Sequence, residues 1–176
     1  MNDKIPCFSC TAKCCKHYDV FIDHMDIKNL SDQLGNFSFL KKLEYKRTFG
    51  YVPKFKLYDN GKKKNWVICL ENPNRVCTFL KNDFCTIYPD RPIICKIYPL
   101  YYDRGKVKEM KNLCPVKWQR DPSLIEKIEV DYKQLLLNFL KFETICDSWN
   151  KIVKKEDKLE NFLIFVKNYE LNSILQ

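Results

Sequence analysis

The sequence predicts a small α+β fold, with short antiparallel strands in the middle of the chain and helices at both ends. Three observations lead there. Apolar residues recur at helical spacing around residues 27–34 and again from residue 124 onward. Between these stretches an Asn60-Gly61 dipeptide, of the kind common in tight hairpin turns, is flanked by strand-like segments. Beyond it, Pro89, Pro92, Pro99 and Pro115 are too closely spaced to allow long helices.

In chain order, Cys7 to Cys15 is a short loop dense in cysteine, with no period. Asp23 then stands before a helix whose apolar face is Ile27, Leu30 and Leu34, and Gly35 supplies the stop. A second short helix is predicted over 39–47. Phe55, Leu57 and the segment Trp66-Val67-Ile68 form the arms of the hairpin, and Cys77, Cys85, Cys95 and Cys114 follow among the prolines. From Asp121-Pro122-Ser123 a helix of several turns carries Leu124, Ile128, Tyr132, Leu135, Leu136, Phe139 and Leu140. A last helix carries Leu159, Phe162, Leu163, Val166 and Tyr169. Both stripes are read as core faces rather than partner sites. The length of 176 residues suits a single domain. Residues 1–118 are read as a cysteine-cluster domain, with 119–176 a helical extension packed on it.

Composition supports a folded chain: 45% hydrophobic and 14% aromatic residues are too many for a disordered one. Ten cysteines in 176 residues are several times ordinary usage. Residues 1–6 leave no room for a secretory apolar core before Cys7, and no stretch approaches the ~20 apolar residues of a membrane span. The expectation is a cytoplasmic protein without a membrane partner, whose thiols stay reduced, and that favours metal ligation over disulfides. The four glycines, Gly35, Gly50, Gly61 and Gly105, are scattered, so neither familiar phosphate-cradling loop is present. The formal charge of +9 comes from 31 Lys and Arg against 22 Asp and Glu. The lysines are spread along the chain, as in a solvated surface that also compensates anionic metal–thiolate sites.

The cysteine spacings are specific. Cys7 and Cys10 are separated by two residues, which lets one tight turn aim two thiolates at a metal. Cys14 and Cys15 are adjacent. Neighbouring side chains usually diverge, so this pair is expected to serve two metal sites or one multinuclear cluster. Cys77, Cys85, Cys95 and Cys114 leave seven, nine and eighteen residues between them, too many for zinc-ribbon knuckles. Such gaps suit a cluster held by loops from several directions. Four and four is the arithmetic of two tetrathiolate sites. The radical S-adenosylmethionine pattern, the thioredoxin pair in a βαβ unit and the paired histidines of zinc peptidases are all unmatched. His17 is either a fifth ligand on the Cys15 side or an exposed residue. Cys69 in a strand and Cys146 in the long helix are read as packing residues.

With the N-terminal cluster ending in Cys14-Cys15, the segments Cys77-Thr78-Phe79-Leu80, Cys85-Thr86-Ile87-Tyr88, Arg91-Pro92-Ile93-Ile94-Cys95 and Tyr98-Pro99 complete a pattern. It resembles the zinc- or iron-chelating domain family, also called YkgJ-type cysteine cluster proteins, over roughly residues 7 to 118. The resemblance implies Cys7, Cys10, Cys14, Cys15, Cys77, Cys85, Cys95 and Cys114 as metal ligands. One departure is that three residues rather than two precede the double cysteine, Ala12 being the extra one. Some relatives in this family are described as iron–sulfur oxidoreductases, and a larger one, the flagellin lysine N-methylase, joins a similar domain to further sequence. Arg91, between two ligands, is a candidate to offset thiolate charge or hydrogen-bond sulfur. Tyr88 and Tyr98 would shield the centre from water or simply pack.

The first functional reading is a protein carrying iron–sulfur clusters, [4Fe–4S] favoured and zinc the alternative, in redox chemistry with a redox or protein partner. The second is a zinc-stabilised nucleic-acid-binding module. It would use Lys41-Lys42, Lys46-Arg47 and Lys62-Lys63-Lys64, with Tyr51, Phe55 and Trp66 for stacking. A metal-dependent enzyme such as a lysine methylase is a further alternative, although no residue names a substrate, a general base or a second cofactor.

Overall fold

The Asp23 carboxylate is where the described part of the chain first turns helical. In the computed structural model, residues 14–103, 106–110 and 122–173 are described, without the side chains of 102, 103 and 170–173. Asp23 Oδ1 accepts from the backbone N–H groups of Met25 (2.8 Å) and Asp26 (3.0 Å), and Asp26 Oδ2 accepts from the Asp23 N–H at 3.4 Å. This reciprocal capping box starts α1 (His24–Leu34), and Gly35 ends it in the left-handed conformation at φ 72°. Ile27 and Leu30 are buried as the spacing predicts, while Leu34, in the last turn, is exposed.

The residues then form two compact units. One comprises Met1–Val20 and Glu71–Gln134, the other Phe21–Leu70 and Leu135–Gln176. In the second, β1 (Leu40–Glu44), β2 (Phe55–Asp59) and β3 (Lys62–Leu70) make an antiparallel sheet in the order β1-β3-β2. The turn between β2 and β3 is Asn60-Gly61, both at positive φ (49° and 75°), as a two-residue type I′ hairpin requires. A strand takes the place of the helix predicted over 39–47. The Leu40, Leu43 spacing is compatible with either, and pairing of Leu40 with Leu70 and Leu43 with Val67 decides it, tertiary contact overriding local pattern. Only Arg47–Phe49 is helical there, as one 3-10 turn.

The two C-terminal helices are present: α3 (Pro122–Ile152) and α4 (Leu159–Ser173). Within the second unit the buried stripe of α3 is Leu135, Phe139, Phe142, Cys146 and Trp149, a 4-3-4-3 alternation. Leu136 and Leu140, assigned to the core face from sequence, lie one step round the helix and are 40% and 55% exposed. Phe162, Leu163 and Val166 of α4 are buried. The ring of Phe162 stacks on Phe55 with centroids 3.9 Å apart. The free edge of β2 is satisfied by α3: Trp149 Nε1 donates to the Lys56 carbonyl (2.9 Å), and Asn150 Oδ1 accepts from the Lys56 N–H (2.6 Å). An edge occupied in this way cannot recruit a further strand.

Asp23 also accepts from Asn138 Nδ2 of α3 at 2.8 Å and is wholly buried. Asp23→Ala removes the helix cap and this cross-link together. The expected cost is about 2 kcal/mol of unfolding free energy, read from a urea titration. A loss under about 0.5 kcal/mol would show that the cap does not matter.

The first unit is built of short pieces: β4 (Leu80–Lys81), β5 (Phe84–Cys85), α2 (Ile93–Ile97), β6 (Leu100–Asp103) and β7 (Lys106–Glu109), with the start of α3. The prolines account for the brevity. Pro92 fixes the entry to α2, and Pro99 follows its end within two residues. The fold class is therefore α+β, with short antiparallel strands. Among the described residues, no helix is long and apolar enough to cross a membrane.

Candidate metal centre

Five of the eight sequence-marked ligands are described, and all five belong to the first unit: Cys14, Cys15, Cys77, Cys85 and Cys95. Cys7, Cys10 and Cys114 lie outside the described residues. Cys14 and Cys15 open a 3-10 turn, Cys14–Lys16, in which the Cys14 carbonyl accepts from the N–H groups of His17 (3.3 Å) and Tyr18 (3.1 Å). The Cys77 N–H donates to the Cys15 carbonyl at 2.7 Å, so the third cysteine is tied to the first pair through the backbone. Asn72 supports the same junction by donating to Asp19 Oδ1 at 3.0 Å.

From Cys77 the chain turns at once, the Leu80 N–H returning to the Cys77 carbonyl at 2.9 Å, and enters the β4–β5 hairpin, where Leu80 pairs with Cys85. Its turn is Asn82-Asp83, both at positive φ (51° and 61°). An ion pair between Lys16 and Asp83 links this turn to the double-cysteine turn. Sequence reasoning missed both residues. The available signal was the Asn-Asp dipeptide, which tolerates the left-handed region as Asn-Gly does. The Cys95 N–H in α2 donates to the Pro92 carbonyl at 2.9 Å.

The Cys14 and Cys15 sulfurs are 3.9 Å apart. The expected divergence of adjacent side chains does not occur, because the 3-10 turn brings both thiols together. Two thiolates on one tetrahedral metal, with bonds of about 2.3 Å, would be roughly 3.8 Å apart. The donor chemistry and this separation therefore fit a thiolate-bound metal. Among the described residues no group of three or more His, Cys, Asp or Glu side chains is set closely enough to hold a metal ion. The Cys14–Cys15 pair is the preformed part.

Protonation follows from the crowding. Cys14 is lowered to about 7, first by its hydrogen bond with the Cys15 thiol and, among lesser causes, by the charge of Arg91. Cys15 is raised by the same hydrogen bond, then by burial and by the neighbouring charges of Cys14, Cys77 and Cys95. Burial raises Cys77 and Cys85. A cation bound here would replace the retained protons, which is the usual coupling of metal binding to proton release.

Cys69 and Cys146 are wholly buried in the other unit, away from this set. His17 is exposed. The candidate nucleic-acid contacts also fall in the second unit and are much engaged there. Lys64 bonds Asp59 (2.7 Å) and Glu44 (3.5 Å), and Lys42 sits 4.0 Å over the Trp66 ring. Tyr51 donates to Glu143, and Phe55 is buried against Phe162.

The family model CxxCxxCC, described as "Putative zinc- or iron-chelating domain", matches residues 6–115. No curated protein and no solved structure matches the chain. The matched span takes in more than half of the 176 residues and all eight candidate ligands. The chain belongs to this family of zinc- or iron-chelating domains.

Proposed function

We propose that this zinc- or iron-chelating protein holds iron as an iron–sulfur cluster and exchanges electrons with a redox partner. Cys14, Cys15, Cys77, Cys85 and Cys95, with Cys7, Cys10 and Cys114, are the residues that would hold it. The observation that carries this reading is the 3.9 Å separation of the Cys14 and Cys15 sulfurs in a unit that contributes three further thiols. One zinc uses four thiolates, whereas the sequence offers eight at spacings that suit clusters. Two thiolates this close suit one iron of a [2Fe–2S] cluster better than a [4Fe–4S] cluster, in which four cysteines go to four different irons. Such a cluster supplies reversible one-electron transfer. The protein's own part is to gather the thiolates and to exclude water with Tyr18 and Tyr98, whose rings meet edge to face at 5.6 Å.

A zinc site is the second reading, because the same sulfur separation suits a tetrahedral zinc ion. Anaerobic purification followed by absorption spectroscopy and iron and acid-labile sulfide analysis separates the two. Iron and sulfide in near-equal amounts, with visible charge-transfer bands, are expected. Stoichiometric zinc with no iron taken up on anaerobic reconstitution would reject the cluster.

A further inference from the structure

Arg91 lies between Cys85 and Cys95 in the chain, and the local backbone fixes where its charge is held. The Tyr88 N–H donates to the Cys85 carbonyl at 3.2 Å, and the Asp90 N–H to the Ile87 carbonyl at 2.9 Å, so two successive turns follow the fourth described cysteine. Arg91 then folds back over the preceding turn, its Cζ 3.9 Å from the centroid of the Tyr88 ring. Pro92 follows at φ −47° and opens the helix that carries Cys95. A planar guanidinium stacks on an aromatic face in a way an ammonium does not, which accounts for arginine at this position. Its charge reaches two cysteines from different elements. Cys14, lowered first by its bond with Cys15, is lowered further by Arg91, and Cys85, raised overall by burial, is partly brought back by the same charge.

We propose that Arg91, pinned on Tyr88, is the fixed countercharge of the metal centre and a positioning residue that sets its affinity for the metal. This rests on the reading that the cysteines bind metal. Four thiolates around a divalent ion carry about two net negative charges. In a half-buried site that excess is costly unless a cation is held beside it.

The test uses the full chain under anaerobic, reducing conditions, with zinc as the probe in competition with a chromophoric chelator. Arg91→Gln should keep the number of zinc ions per chain and the circular dichroism of the wild type, but bind roughly 10- to 100-fold more weakly. Arg91→Lys, which keeps the charge without the stack, should fall between. A purely structural role would lower stoichiometry and leave the affinity of the remaining sites alone. Binding by Arg91→Gln within twofold of wild type, or Arg91→Lys no tighter than Arg91→Gln, overturns the proposal. If Arg91→Gln misfolds, Arg91→Lys decides: affinity within tenfold of wild type supports the countercharge role, and a larger loss removes it. A wild-type chain that takes up neither zinc nor iron instead sinks the metal reading on which the proposal rests.

Discussion

Replacing Cys95 by serine should remove at least half of the bound metal and leave residues 71–103 without stable structure. The first unit has little else to hold it. Its strands β4 and β5 are two residues each, α2 is five, and the hydrogen bonds around Cys77, Cys85 and Cys95 are single turns rather than ladders. Its described apolar core is small, drawn from Phe79, Ile87, Ile97, Leu100 and Ile128. A pre-formed site rarely exists in an unfolded chain, so metal-binding free energy is folding free energy, about 10–16 kcal/mol for structural zinc in small domains. Loss of one thiolate ligand forfeits a large share of that. Cys85→Ser should behave alike, since Cys85 pairs with Leu80 in the hairpin that follows Cys77. Metal analysis together with amide hydrogen exchange over 71–103 measures both effects. Cys146→Ser is the control: its sulfur is wholly buried in α3 and belongs to the other unit. It should keep its metal and cost on the order of 1 kcal/mol for a polar hydroxyl in an apolar site. Full metal content in both Cys85→Ser and Cys95→Ser would refute their assignment as ligands.

What could be read from the sequence was local, and what could not depended on packing. Asp23 and Gly35 marked the ends of α1 because capping and the left-handed stop are set by single residues. Asn60-Gly61 marked its hairpin for the same reason. Leu40-Lys41-Lys42-Leu43 carried no such marker, and its apolar spacing read as helix until β3 offered Leu70 and Val67 as partners. Leu136 and Leu140 were misplaced because α3 is apolar on more than one side, and sequence alone cannot say which stripe a neighbour will cover. In the site, cysteine identities and gaps pointed to metal chemistry. The convergence of Cys14 and Cys15 was not legible, since it comes from a three-residue 3-10 turn held by Cys77 sixty residues on. Arg91 could be named from its place between two cysteines, but its orientation depends on the ring of Tyr88.

Phe162→Ala should be the most destabilising single change in the second unit, at about 4 kcal/mol. Phe162 is wholly buried and touches three aromatic rings. It lies parallel to Phe55 with an interplanar angle of 3°, edge-on to Trp149 at 5.5 Å, and 6.3 Å from Phe142. Removing a buried phenyl ring forfeits roughly 2–3 kcal/mol of transfer free energy, and the cavity and lost ring contacts add to it. How much they add depends on whether the neighbours can move in. Phe55 is fixed by its pairing with Trp66 in the sheet, and Trp149 by its Nε1 bond to the Lys56 carbonyl at 2.9 Å. Neither can shift without giving up a backbone or indole hydrogen bond, so the cavity stays largely open and the cost falls in the upper half of the usual 3–5 kcal/mol for Phe to Ala. Phe162→Leu, which refills most of the volume, should cost about 1–2 kcal/mol. Urea unfolding followed by far-ultraviolet circular dichroism gives both numbers. A loss under about 2 kcal/mol for Phe162→Ala would mean that α4 does not pack on β2 through this ring. Metal bound per folded chain should be unchanged in either variant, because none of the described cysteine ligands belongs to the unit that Phe162 holds together.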